Sequence, residues 1–484
     1  MKKIFLIGSI SLLCIACSVG PNYHRPPIYK NNKIADSLYL KSNSKRKINP
    51  LWYQSFGDDN LNKLIEQGLE HSPNIKVAIE KMQQARYKLY IDRSGFLPSF
   101  DAKGQYNKSN QTLAGTLPIN SDYYQVGLDA SWELDIWGGR RRLDESARAM
   151  LKATAANFDN VKISLISEIA NQYINWILAE KQLSLMENNL KLQTDIFETV
   201  EAKYKAGLAD SLDYEQAKSL LDSTKMKIPQ LRLEEKSYQN ALSILVGKLP
   251  VDIIKNKSDI LYKKFSFELA SLYDLPVDIV RNRPDVQATE QQLIAENALI
   301  GQAIANLFPS VSLSAFLGYQ NNTLSPIFGP DFNMYTNGAV INLPILHWGE
   351  LINQVKLQES ATKQAFALYQ SSLLNAVADI SNAINSVEEE TKRNISAKAM
   401  MNSTKEISVL SLRKYQNGLI EFSDVLTAEQ NKISAEQEYL QSNAKIYQNI
   451  ISFYKSVGGG LAIDRNKSVC QMACSTEVCK PCKD

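Results

Sequence analysis

The chain carries an internal duplication at one fixed offset of 211 residues. Pro73 and Pro98 recur as Pro284 and Pro309, and Trp137-Gly138 recurs as Trp348-Gly349. Tyr204, Gly207 and Leu208 recur as Tyr415, Gly418 and Leu419, and Gly247 recurs as Gly458. No insertion or deletion separates the copies, so the length of the unit is itself constrained. Solenoid repeats run to about 20–50 residues. A repeat four times longer is a duplicated half-domain.

Each copy reads as helix, strand, strand, very long helix, turn, long helix. In the first copy Ile75, Ala78, Ile79, Met82, Ala85 and Leu89 fall at helical spacing, and Pro98 ends that element. Residues 100–107 then alternate. The next run alternates more strongly, with Tyr124, Val126, Leu128, Ala130, Trp132 and Leu134 on one face and Gln125, Gly127, Asp129, Ser131, Glu133 and Asp135 on the other. Side chains of a strand point to opposite faces in turn, so each strand has one apolar and one polar face. From Arg140 to Ala206 there is neither Gly nor Pro, enough for one helix of roughly 100 Å at ~1.5 Å per residue. A second helix is expected from about Ser211 to Val246, with an irregularity at Pro229. The second copy repeats this with helix 285–306, a strand bearing Val311, Leu313, Ala315, Leu317 and Tyr319 on one face, a weaker strand over 334–343, an uninterrupted run Glu350–Asn417, and a return helix Leu419–Val457. Helices this long need a bundle or coiled-coil partner along their length.

Helical periodicity alone also describes a structural rod. The strands decide otherwise. Four strands with an apolar face cannot shelter that face in water, and four are few for a soluble sandwich. They also cannot close a membrane barrel, which takes at least ~8. Alternation with apolar residues outward, and the aromatics Tyr106, Tyr124, Trp132 and Tyr319, suit a lipid-facing barrel wall. Closure then requires several chains, and three would supply twelve strands. Segments 108–122 and 321–333, rich in Asn, Ser, Thr, Gly and Pro, are expected as exposed loops.

Residues 1–16 join a basic start, Met1-Lys2-Lys3, to a short apolar run, which is the pattern of a secretory signal. Ala16-Cys17-Ser18 resembles a bacterial lipobox, in which Cys17 would become an acylated N-terminus; Ser18 is what outer-membrane lipoproteins usually show at that place. The formal net charge is +3 over 484 residues. So balanced a chain argues against a nucleic-acid partner. The three histidines (His24, His71, His347) lack His-Glu-x-x-His spacing, and there is neither a phosphate-binding Gly-rich loop nor a Gly-x-Ser-x-Gly elbow. The expectation is no enzyme and no cofactor.

On this duplicated frame lie Gly20-Pro21-Asn22-Tyr23-His24-Arg25-Pro26, Leu51-Trp52-Tyr53 with Phe56-Gly57-Asp58, Arg283-Pro284-Asp285, Leu307-Phe308-Pro309 and Gly458-Gly459-Gly460. Together and in this order they resemble the bacterial outer-membrane efflux proteins, the channels of tripartite exporters, in the lipoprotein branch that serves RND-type multidrug pumps. The resemblance implies an α+β membrane protein. Four transmembrane strands per chain would give a homotrimeric barrel of twelve strands among outer-membrane lipids. The long helices would form a periplasmic coiled-coil tunnel. The partners it implies are a periplasmic adaptor and an inner-membrane pump. It divides the chain into a signal peptide (1–16), a lipidated segment (17–60), a first repeat (61–247), an equatorial connector (248–275), a second repeat (276–458) and an equatorial C-terminal segment with a Cys-rich tail (459–484).

The turns Tyr204-Lys205-Ala206-Gly207-Leu208 and Tyr415-Gln416-Asn417-Gly418-Leu419 sit where helix reverses into helix. Glycine there permits a left-handed backbone. From the resemblance, the tips at Gly207, Leu208, Gly418 and Leu419 close the tunnel at rest and meet the adaptor when open. Asp424 matches an aspartate that rings the periplasmic mouth in family members, where carboxylates favour cations. Asp213 and Tyr415 match positions that link neighbouring hairpins. Thr427 stands where a second aspartate is common and Ile420 where an arginine is found, which implies a single acidic ring and a weaker or different latch. Both aspartates also read as plain solvated helix residues.

The tail cysteines Cys470, Cys474, Cys479 and Cys482 read either as disulfides, in an oxidising periplasm, or as a soft-metal site. Three functions therefore stand at this point. The first is a drug-efflux outer channel, the second the same channel in metal efflux or type I protein secretion, and the third a lipid-anchored structural coiled-coil protein.

Overall fold

The computed structural model describes residues 18–26, 38, 48–111, 119–250, 258–262, 273, 276, 278–324, 328–329, 331 and 333–460. The signal segment, Cys17, the four tail cysteines and most of the 248–275 connector lie outside the described residues. The elements follow in the order α1 (Asp59–His71), α2 (Pro73–Ser94), β1 (Ser99–Gln111), β2 (Ile119–Leu134), α3 (Gly139–Lys205), α4 (Ser211–Leu245), α5 (Ile279–Asn282), α6 (Pro284–Ala305), β3 (Ser310–Asn321), β4 (Asn333–Asn342), α7 (Glu350–Gln416) and α8 (Phe422–Ser456). The duplication persists in the helix lengths. α2 and α6 have 22 residues each, α3 and α7 have 67, and α4 and α8 have 35. α4 continues unbroken through Pro229. Pro229 is exposed, so the carbonyl it leaves without an N–H partner faces water. Among the described residues no helix is long and apolar enough to cross a membrane.

Two units carry the chain. The first comprises 1–26, 81–155 and 288–370. It holds one antiparallel sheet in the order β1-β2-β3-β4. Register sets its faces. Ala102 lies opposite Leu128, Leu128 opposite Leu317, and Leu317 opposite Tyr335. The rows Phe100–Ala130–Ala315 and Trp132–Leu313–Ala339 repeat the pattern. One face is thus apolar across all four strands, with Phe100, Leu128, Leu317, Tyr335 and Ile341 exposed. Asn337 and Asn333 interrupt it on β4, which is why that strand alternates weakly in sequence. The other face carries rows such as Ser99–Ser131–Ser314 and Gln105–Gln125–Gln320. Phe316 departs from it for a local reason. Its ring lies over Gly127 and Gly318, where an added Cβ would come within 2.6 and 2.8 Å of the ring. The expected loop 108–122 is shorter than the sequence suggests. β1 continues to Gln111 and β2 begins at Ile119, because Asn107 to Gln111 pair with Ile119 to Tyr123 despite their polar composition. A strand needs backbone pairing, not apolar side chains, once its partner is aligned.

The N-terminal motif straps this unit. Arg142 donates from Nη2 to the Gly20 carbonyl (3.1 Å) and to Asn22 Oδ1 (2.9 Å), and from Nε to the Val19 carbonyl (3.1 Å). Arg25 and Tyr23 both donate to the buried Glu290 carboxylate. Gly20 faces Gly301 so closely that a Cβ at Gly20 would sit 2.3 Å from the Gly301 Cα.

The second unit comprises 27–80, 156–287 and 371–484. Trp52 stacks on Tyr454 (4.8 Å between centroids) and Phe56 meets Tyr447 edge-on (5.3 Å). Asp58 caps α1 by accepting from the Asn60 and Leu61 N–H groups (2.9 and 3.2 Å). Its other oxygen accepts from the Tyr173 hydroxyl (2.9 Å) and from Ser258. One buried carboxylate therefore ties the N-terminal segment to α3 and to the connector. Arg283 does the same at the start of the second repeat. Only 8% exposed, it donates to Asp285 (2.7 Å), Asp379 (2.9 Å) and the Ser456 carbonyl (2.9 Å), joining the N-terminus of α6, α7 and the end of α8. Both aspartates keep solvent contact, so removing the cation leaves no fully buried orphan charge.

Arg283→Met should cost about 3 kcal/mol, the low end for breaking a buried charge network. Arg393→Met, which removes a surface guanidinium from Glu390 and Glu438, should have a much smaller effect. Chemical unfolding followed by helical circular dichroism measures both.

Candidate functional site: the helical tips

The two hairpin tips lie in the second unit and are built alike. α3 ends at Lys205 and α7 at Gln416, and each reverses through a left-handed glycine, Gly207 (φ 71°) and Gly418 (φ 70°). The Leu208 N–H reaches back to the Lys203 carbonyl (2.8 Å) and the Leu419 N–H to the Lys414 carbonyl (2.9 Å). These bonds satisfy the orphan carbonyls of the last turn. Nothing lies within 4 Å of a Cβ built on either glycine, so backbone conformation alone requires glycine there. The leucines that follow project into solvent, with Leu208 77% and Leu419 70% exposed. The restart differs between copies. Asp210 caps α4 through the Asp213 N–H (2.9 Å), whereas its repeat counterpart Glu421 makes no side-chain cap to α8.

Between the tips sits an apolar cluster of Ile196, Val200, Ala217, Tyr415, Phe422 and Val425, with Phe197, Leu412, Ile420 and Leu426 packed against it. Tyr415 is buried in this cluster, its ring 5.3 Å from that of Phe422. Its hydroxyl donates to Asp213 Oδ2 (3.3 Å). The sequence-derived pair Tyr415 and Asp213 is therefore brought together. Asp424 is not part of it. It lies exposed in the first turn of α8, with no side-chain bond to Asp213 or Tyr415 among the described residues.

The sequence reading missed Lys203. Its ammonium stands 4.4 Å from the Tyr415 ring centroid and donates to the Tyr415 carbonyl (3.3 Å), a cation–π contact beside the Tyr415–Asp213 hydrogen bond. The signal was present, since Lys203 and Lys414 also stand 211 residues apart. Ile420, which takes the place of the arginine, contributes packing to the cluster instead of charge. A cleft of about 460 Å³ opens here, bordered by Lys203, Asp210, Asp213, Tyr415 and Glu421.

Burial raises the Tyr415 phenol to about 12, helped by the Asp213 charge beside it. Desolvation also raises the Asp213 carboxyl from its ordinary value, with the Asp210 charge adding to it. A carboxyl whose folded pKa exceeds its unfolded value favours the folded tip most when protonated. That contribution is fully present below the unfolded pKa (about 3.9) and is lost as pH rises through the higher, folded one. The tip should therefore show slower amide exchange as pH falls through the folded pKa of Asp213 toward the unfolded one, after correction for intrinsic rates. Asp213→Asn should remove the dependence.

Among the described residues no cluster of His, Cys, Asp and Glu suits a metal ion.

The outer membrane efflux protein model matches residues 64–248 and 275–459, once per repeat. The chain is 27% identical to the cation efflux system protein CusC of Escherichia coli, over 93% of this chain and 98% of that protein. It is 27% identical to the solvent efflux pump outer membrane protein SrpC of Pseudomonas putida, over 94% and 98%. Its fold matches the crystal structure of the Campylobacter jejuni CmeC outer membrane channel with a TM-score of 0.83 and 26% identity, covering 94% of this chain and 98% of that one. With both repeats matched by the family model, the chain belongs to the outer membrane efflux protein family.

Proposed function

We propose that this protein is the outer-membrane channel of a tripartite efflux system, a homotrimer that passively conducts small molecules delivered by a periplasmic adaptor and an RND-type inner-membrane pump. The observation that carries the reading is the sheet. Its apolar face is exposed over four strands, and among the described residues β1 and β4 each offer an unpaired edge. In lipid every unpaired backbone group costs several kcal/mol, so such a sheet spans a bilayer only in a closed barrel. Three copies supply twelve strands, an even number within the range of known barrels.

The tips supply the periplasmic gate. Tyr415, Asp213 and Lys203 latch one hairpin to the other within a chain, and breaking them loosens the closed end. Asp424, exposed at the start of α8, contributes one carboxylate per chain to the mouth, which favours cations there. Leu208 and Leu419, held outward by Gly207 and Gly418, offer apolar contacts to the adaptor. Equal identity to a cation-efflux and to a solvent-efflux protein fits a duct whose cargo is chosen by the pump. Lipid attachment at Cys17 is supported by its neighbour. Ser18 packs against Gly138 just beyond the end of β2, and the Val19 N–H donates to the Trp137 carbonyl (3.1 Å). The proposed acyl group belongs to the residue one place upstream in the chain.

Protein extracted from outer membranes should have three times the protomer mass by light scattering and should form channels in planar bilayers. Asp424→Asn should reduce cation selectivity, and Tyr415→Phe should raise the open probability. A monomer without conductance would overturn the reading.

A further inference from the structure

Beyond the cleft at the tips, α3, α7 and α8 enclose another cavity within the second unit, of about 570 Å³. Its apolar walls follow helical spacing. Leu185, Leu192 and Ile196 line it from α3, and Val409 and Leu412 from α7. α8 contributes Glu429, Lys432 and Glu436. An apolar cavity of roughly 300–1,000 Å³ with a few placed polar groups has the form of a small-molecule site.

The polar groups fall into two sets. Glu429 and Lys432 are both buried and satisfy one another. The Lys432 ammonium donates to Glu429 Oε2 (2.6 Å), and the Ser408 hydroxyl donates to Glu429 Oε1. That set is closed and neutral. Glu436, one turn further along α8, is different. Its Oε2 is shielded from water and has no hydrogen-bond partner among the described residues. Burial raises its carboxyl from the ordinary value, although Lys432, Asn189 and Lys405 oppose the shift. Asn189 lines the cavity from α3 and is only 3% exposed. Its Nδ2 donor is likewise without a partner. One cavity thus holds a buried donor and a buried acceptor, both unsatisfied, which is costly and calls for an occupant.

A hydroxyl supplies both missing halves, since it accepts from the Asn189 amide and donates to the Glu436 carboxylate. Water does the same, but gains nothing from the apolar walls. The rim adds charge. Lys405 and Arg413 line it from α7, exposed and without an ion pair among the described residues. Against them stand Asp195 on α3 and Glu436, whose charge is disfavoured by burial. This balance leaves room for one negative charge.

We infer that the cavity binds a small organic anion with an apolar body, a hydroxyl and a single negative charge. The hydroxyl bridges Asn189 and Glu436, the body lies against the leucines, Ile196 and Val409, and the anionic group meets Lys405 and Arg413. The cavity reaches Leu412 and Gln416, within one turn of Tyr415. An occupant therefore braces the same two hairpins that the Tyr415–Asp213 hydrogen bond joins.

Calorimetric titration of the full-length protein in lipid nanodiscs tests this, with empty nanodiscs as the reference. The probe is para-coumarate, which carries a hydroxyl and a carboxylate at opposite ends of a flat apolar frame. Its binding should saturate at one molecule per chain. Cinnamate, which lacks the hydroxyl, and para-vinylphenol, which lacks the charge, should each bind about tenfold more weakly. Lys405→Gln with Arg413→Gln, both at the surface, should abolish the preference for para-coumarate over para-vinylphenol. Asn189→Leu, in protein that keeps its helical circular dichroism, should abolish the preference over cinnamate. Saturating para-coumarate should also slow amide exchange from Leu412 to Gly418, and unchanged exchange there overturns the bracing role. No binding beyond that of empty nanodiscs means a cavity filled by water only and overturns the inference, as does binding that all three substitutions leave unaltered. Neither result touches conductance, so the channel reading stands or falls separately.

Discussion

Everything in this molecule follows from a sheet that a single chain cannot finish. Its register aligns the apolar residues of four strands on one side and, among the described residues, leaves hydrogen-bonding groups bare along β1 and β4. In water the exposed apolar face is costly, and in lipid the bare edges are costly. Only a closed ring of copies in a bilayer removes both penalties together.

The long elements are fastened within each unit. Helices of 67 residues are far beyond the usual size and hold their course by packing. Where segments change direction, single buried charged groups collect several elements. Asp58 gathers a helix cap, a tyrosine of α3 and the connector. Arg283 gathers two aspartates and a helix-end carbonyl, and Arg142 with Glu290 binds the N-terminal strap. Motifs that look like scattered signatures in sequence are thus the tie points of the framework. The tips obey the opposite rule. The contacts between them are two long hydrogen bonds and one cation–π contact over a small apolar cluster.

Much of this was legible in the sequence. Helix lengths followed from stretches free of Gly and Pro, and the strand faces from strict alternation in β2. The left-handed glycines followed from their place where helix reverses into helix, and the Tyr415–Asp213 pair from the family resemblance. What was not legible depends on long-range pairing. The polar ends of β1 and β2 join the sheet only because their partners are already aligned, so composition marked them as loop. Phe316 sits among polar neighbours to cover two facing glycines, a cross-strand fact with no local trace. Lys203 shows its part only once the two hairpins meet, because its contact with Tyr415 joins residues far apart in sequence, while Ile420 merely packs.

Amide hydrogen exchange on the detergent-purified assembly tests the central claim most directly. The account predicts that the β1 and β4 amides facing away from their own chain exchange as slowly as those of β2 and β3, because the next copy pairs with them. Rapid exchange confined to those edge amides, in protein whose inner strands are protected, would contradict it.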